Sequence, residues 1–142
     1  MSQAGYSGTP LAQKLGLKDG QRVLFIDLPD DLAELAASRQ FTESRQIAAE
    51  QFGTAAPGYD FVHLFTTARS VLEALALPLM NLIARDGMIW VSWPKKAARV
   101  ATDITEDVIR AVVLPLGLVD VKVCAVDQTW SGLKLVIRKE LR

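Results

Sequence analysis

The sequence has little of the residue types that usually announce a chemistry. Its 142 residues include one cysteine, Cys124, and one histidine, His63. A single cysteine excludes an intramolecular disulfide. With one histidine beside it, a zinc site of the common cysteine–histidine type lacks donors, and no metal is expected. Charge of one sign is not in excess either: sixteen Lys and Arg balance sixteen Asp and Glu. No global field therefore draws the chain onto nucleic acid or an anionic bilayer. The longest apolar stretches are interrupted by Pro78 and Pro115, so none reads as a membrane span. The first residues, Met1 to Tyr6, do not read as a charged start and apolar core of a secretory leader. Glycine is missing from Gln21 to Phe52. There is no Gly-x-Ser-x-Gly elbow and no Walker phosphate loop, so hydrolase and nucleotidase chemistry have no positive signal. These absences point to a cytoplasmic protein, and the length fits one domain over residues 1–142.

What is present is a regular alternation of elements. Pro10 to Leu17 reads as a short amphipathic helix and Lys18-Asp19-Gly20 as a turn. Val23 to Ile26 is a continuous apolar run, as in a strand buried on both faces of a parallel sheet. Pro29-Asp30-Asp31 opens a helix that runs to about Ser38, with proline and acids in its first turn. Ser44 to Glu50 favours a short edge strand, although residues 40–58 also accommodate a short helix or a loop. Tyr59 to Phe65 is a second core strand. Ser70 to Arg85 has helical spacing, and Pro78 inside it predicts a kink or two short helices. Asp86-Gly87 ends that segment, and Met88 to Trp93 is a third core strand. Thr105 is an N-cap for a helix whose apolar face is Val108, Ile109, Val112, Val113 and Leu116. Val119, Val121 and Val123, then Leu133, Leu135 and Ile137, alternate with other residues around a loop at Asp127–Gly132. That period of two predicts a C-terminal antiparallel hairpin. The whole is an α/β Rossmann-like three-layer sandwich with a mostly parallel sheet.

Leu11–Asp27 resembles the first helix and first strand of the class I methyltransferases, which bind S-adenosylmethionine. Tyr59–Phe65 resembles their fourth strand, Asp86–Ser92 their fifth, and the final hairpin their sixth and seventh. The strings Tyr6–Leu11, Val91–Lys96 and Trp130–Lys139 also resemble a bacterial family known only as a domain of unknown function. The resemblance implies a methyltransferase-like fold, with Asp27 at the acidic position after the first strand. The sequence departs from the methyltransferases immediately afterwards. They carry a glycine-rich turn that brings backbone close to the cofactor. Here Leu28-Pro29-Asp30-Asp31 follows, and two aspartates stand where an anionic ligand group would dock. The departure disfavours S-adenosylmethionine and leaves no cofactor assigned.

In open α/β sheets, ligands bind beyond the carboxyl ends of the strands. That rule selects Asp27, Thr66, Thr67, Ser92, Trp93, Lys95, Lys96 and Trp130 as ligand-binding candidates, with Arg69, Arg99 and Asp127 nearby and the Tyr6–Ser7 arm folded over. Lys95 and Lys96 would hold a phosphate or carboxylate with Trp93 stacked on a ring; the alternative is a solvated lysine loop with Trp93 in the core. Asp27 would bind a ligand hydroxyl or amine, or else cap the following helix or pair with a loop lysine. His63 reads as a packed core histidine rather than a proton shuttle, and Cys124 as a small hydrophobe. No catalytic residue is assigned. Three readings stand: a non-catalytic methyltransferase-like module binding a small anion, nucleotide or protein partner; a divergent S-adenosylmethionine-dependent methyltransferase; and a homo-oligomeric interaction protein using the hairpin.

Overall fold

A computed structural model of the chain describes residues 10–142, so the Tyr6–Ser7 arm lies outside the described residues. Six strands form one sheet: β1 (Arg22–Ile26), β2 (Glu43–Ile47), β3 (Tyr59–Phe65), β4 (Ile83–Pro94), β5 (Leu118–Ala125) and β6 (Trp130–Ile137). Their spatial order is β2-β1-β3-β4-β6-β5. The first four run parallel, and β6 is antiparallel to both its neighbours. Helix α1 (Leu11–Leu15) and a 3₁₀ helix (Asp30–Ala37) cover one face; α2 (Arg69–Leu82) and α3 (Glu106–Val113) cover the other. This is the expected three-layer sandwich.

Two cores arise from strand alternation. Phe25, Phe61, Phe65 and Trp90 point to the α1 face, whereas Leu24, Ile26, Val62, Leu64, Val91 and Trp93 point to the α2–α3 face. The Trp90 indole N–H donates to the Leu15 carbonyl at 2.8 Å, which ties α1 to the sheet. At the amino edge, Glu43 accepts from the Tyr59 hydroxyl at 2.6 Å and from Arg22 Nε at 3.0 Å, linking β1, β2 and β3. Among the described residues no helix is long and apolar enough to cross a membrane.

Several elements differ from the sequence expectation. The helix after Pro29 forms, but as 3₁₀ turns: Leu32 N–H bonds to Pro29 O, and Leu32 and Leu35, three apart, both face the core. Three residues per turn stack that spacing on one face. The favoured edge strand in residues 40–58 does form, as β2, but it stops at Ile47 and a 3₁₀ helix follows at Ala49–Thr54. Pro78 does not divide α2. It is exposed, as is Ala74, whose carbonyl it leaves unbonded, so water can satisfy that group. The helix stops at Leu82, not Arg85, because Ile83 pairs with Tyr59 and begins β4. The ladder is irregular there, and Gly87 sits where a Cβ would lie 3.0 Å from the carbonyl oxygens of Ala84 and Tyr59. On β5 the alternation shifts at Asp120/Lys122, leaving Val121 and Val123 50% and 48% exposed.

Thr105 caps α3 as expected, its hydroxyl accepting from Val108 N–H at 3.1 Å. Thr105→Ala is expected to cost about 1 kcal/mol in urea unfolding. Gly87→Ala is expected to cost more, about 2–3 kcal/mol, because backbone must move. A Gly87→Ala protein as stable as wild type would show that the close approach is not tight.

Candidate functional site

The chain passes from β1 outward to β2 and then back across to β3. In open α/β sheets a ligand crevice is expected at such a reversal, here between the carboxyl ends of β1 and β3, where Asp27 and Thr66 stand. Asp27 has φ +56°, the left-handed region that aspartate tolerates better than most residues. Its N–H donates to Ile47 O at 2.9 Å and its Oδ1 accepts from Ala49 N–H at 3.3 Å. The carboxylate thus starts the 49–54 turn. Leu28 packs inward against the α1-side core.

Thr66 is buried, and its Oγ1 accepts from Ala68 N–H at 3.2 Å. Thr67 is exposed; its carbonyl accepts from the Thr102 hydroxyl at 2.6 Å. Arg69 N–H, the first amide of α2, donates to Asp103 Oδ1 at 2.6 Å. The α2 N-terminus therefore already holds a carboxylate from its own chain. The Arg69 side chain pairs with Glu73 at 3.0 Å.

Ser92 and Trp93 do not share a surface. Ser92 is 0% exposed on the α1 side, its Oγ 2.7 Å from His63 Nε2. Trp93 is buried on the α2–α3 side. Trp130 is half-buried on the α1 side, edge-on to Phe65 with centroids 5.3 Å apart. The sheet lies between the two indoles, so Trp93 does not stack beside Trp130. Lys95 is half-buried and donates its N–H to Thr129 O at 2.8 Å; Lys96 is exposed. Asp127 Oδ1 accepts from Thr129 N–H at 2.9 Å and Trp130 N–H at 2.7 Å. The aspartate shapes the hairpin loop that carries Trp130. No ion pair involves Lys95, Lys96 or Arg99 among the described residues. Arg99, at φ +56°, ends the turn through 96–98.

Four parallel strands closed by an antiparallel hairpin are the arrangement that the methyltransferase resemblance implies. Three-dimensional comparison agrees. Magnesium protoporphyrin IX methyltransferase from Synechocystis PCC 6803, with bound S-adenosylmethionine, superposes with TM-score 0.62 at 15% identity, covering 91% of this chain and 74% of that one. The chain has a class I methyltransferase-like fold. A methyltransferase from Aquifex aeolicus also gives TM-score 0.62 at 15% identity, over 88% and 86% of the two chains. Fibrillarin from Methanococcus jannaschii gives 0.59 at 9% identity, over 85% and 68%. These identities establish the fold alone. No family profile and no curated protein matches the sequence.

The residues present do not build the usual cradle for S-adenosylmethionine. Asp27, at the acidic position, has its carboxylate bonded within the chain, and inward-packed Leu28 and then Pro29 follow where the glycine-rich turn is expected.

His63 and Ser92 are legible in the sequence as residues but not as a pair. His63 stacks on Phe65 at 4.1 Å and lies among Phe25, Phe61 and Trp90. Burial pushes its pKa from 6.5 down to about 3. The folded chain therefore refuses a proton that the unfolded chain accepts below 6.5. Stability is complete above that pH and falls as acid is added. Between pH 6.5 and 5 the loss is expected to reach about 2 kcal/mol. This window lies above that of Glu43 and Asp120, which Tyr59 and Arg110 respectively hold below the usual carboxylate range. Urea unfolding of wild type and His63→Leu across this range checks it. An equal slope in both would assign the effect elsewhere.

Proposed function

We propose that this protein is a non-catalytic, methyltransferase-like binding module that takes a small anionic ligand at the carboxyl edge of its sheet. The carrying observation is the distribution of free polar groups there. The turn after β1 is closed by Asp27 on Ala49, and the first amide of α2 is taken by Asp103. Lys95, Lys96 and Arg99 instead have no carboxylate within ion-pair distance among the described residues. Lys95 is joined by its own N–H to the loop that carries Trp130. A phosphate or carboxylate would sit on the ammonium groups, with Trp130 as an aromatic wall. Thr66, Thr67 and Asp27 shape the neighbouring crevice, and Ser92 and Trp93 support it from within the two cores. The reading carries a cytoplasmic location with it.

A second reading, a divergent S-adenosylmethionine-dependent methyltransferase, is the one the fold likeness by itself favours. In it Asp27 holds the cofactor. A protein partner or second copy has one observation in its favour, the half-exposed Val121 and Val123 on the outermost strand.

Calorimetric titration separates the readings. No heat is expected with S-adenosylmethionine or S-adenosylhomocysteine at about 1 mM, an affinity weaker than roughly 4 kcal/mol. One-to-one binding would transfer the proposal to the transferase. Saturable binding of an anionic metabolite is expected to weaken at least about tenfold in Lys95→Ala/Lys96→Ala, each lost charge-assisted bond costing about 1.5–3 kcal/mol. Unchanged binding would end the anion-site reading.

A further inference from the structure

A second cationic cluster stands on the α1 face of the sheet, away from the carboxyl edge. Trp90, Lys134 and Lys122 are direct partners across β4, β6 and β5, forming one row. Like charges directly opposite one another destabilise a strand pair. The bulge on β5 creates this pairing. Asp120 faces Leu135 and bonds to Arg110 of α3 at 3.0 Å. The register then shifts, Val121 becomes the extra residue, and Lys122 faces Lys134 instead. Without the shift, Lys122 would share a sheet face with Asp120, two residues before it. A bulge re-aims a side chain in this way next to functional sites.

The third lysine comes from the segment that the row itself anchors. Trp90 holds Leu15 by its indole N–H, Gly16 ends α1 in the left-handed region, and Lys18 follows with its N–H on Gln21 Oε1 at 2.9 Å. Lys134 is half-buried. Its own burial, then Lys122 and Lys18, hold its ammonium below the usual lysine range. No carboxylate lies within ion-pair distance of any of the three among the described residues. Two lysines paired on one ladder, with a third on the segment anchored beside them and none in an ion pair, are an arrangement that a multivalent anion would complete.

We infer that Lys18, Lys122 and Lys134 form a binding site for the phosphate group of a small soluble molecule, separate from the lip at Lys95 and Lys96. Direct cross-strand partners have Cβ atoms about 5 Å apart, so Lys122 and Lys134 can reach oxygens of one phosphate while Lys18 closes from the side.

The test is a residue-resolved amide NMR titration of the full chain with inorganic phosphate and with tripolyphosphate, against sodium chloride at matched ionic strength. The amides of residues 18, 122 and 134 are expected to shift and saturate with both phosphates and not with chloride. Lys122→Thr places a strand-favouring residue at an exposed position and should fold. It is expected to weaken the response at least about tenfold. Lys95→Ala/Lys96→Ala is expected to leave the shifts at 18, 122 and 134 in place, which separates this site from the edge. Shifts that chloride reproduces, that fail to saturate, or that survive Lys122→Thr would overturn the inference.

Discussion

The way the chain leaves its first strand constrains most of the architecture around the carboxyl edge. Asp27 turns through a left-handed conformation, donates its amide to Ile47 and accepts the Ala49 amide on its carboxylate. Those two bonds fix the end of β2 beside β1 and start the turn at 49–54, from which the chain crosses back to β3. The Asp27 carboxylate at the expected switch point is therefore engaged by the protein's own backbone. In the methyltransferases that this fold resembles, a glycine-rich turn follows the acidic residue and leaves backbone open to the cofactor. Here Leu28-Pro29-Asp30-Asp31 follows Asp27, and Leu28 packs inward.

The sheet then divides the remaining candidates between its faces. Ser92 turns to the α1 side and meets His63 in an aromatic core; Trp93 turns to the other side. His63 Nδ1 has no partner among the described residues, so this core carries an unpaired polar atom as well as one 2.7 Å bond. A buried polar pair is costly unless neutral and bonded, which is why acid bears on stability here. At the surface, Lys95, Lys96 and Arg99 at the edge and the lysine row on the hairpin have no carboxylate within ion-pair distance among the described residues, and Asp30 and Asp31 stand exposed after β1.

The legible parts of the sequence are those decided by short-range chemistry. Tyr59–Phe65 matches its strand end to end because an apolar run flanked by Gly58 and Thr66 fits little else. Thr105 caps α3 through a bond three residues away. The hairpin shows itself in a period of two. The parts that differ are decided by distant partners. Ile83 lies four residues from Leu79, so it fits the helix by spacing, but its pairing with Tyr59 claims it for β4. Leu32 and Leu35 at a spacing of three are compatible with either helix type until packing chooses. The candidate site is legible as a region, through the carboxyl-edge rule, and not as a set. Ser92 carries no local sign that a histidine 29 residues away will bury it, and the Asp27 turn depends on an amide 22 residues ahead.

The most direct measurement is an amide NMR spectrum of the uniformly labelled chain with and without S-adenosylhomocysteine. If Asp27 has closed the crevice, the amides of Leu28, Ile47, Ala49 and Thr66 keep their positions at a ligand concentration of about 1 mM. Saturating shifts confined to those residues would contradict this, showing that the turn opens to admit the cofactor after all.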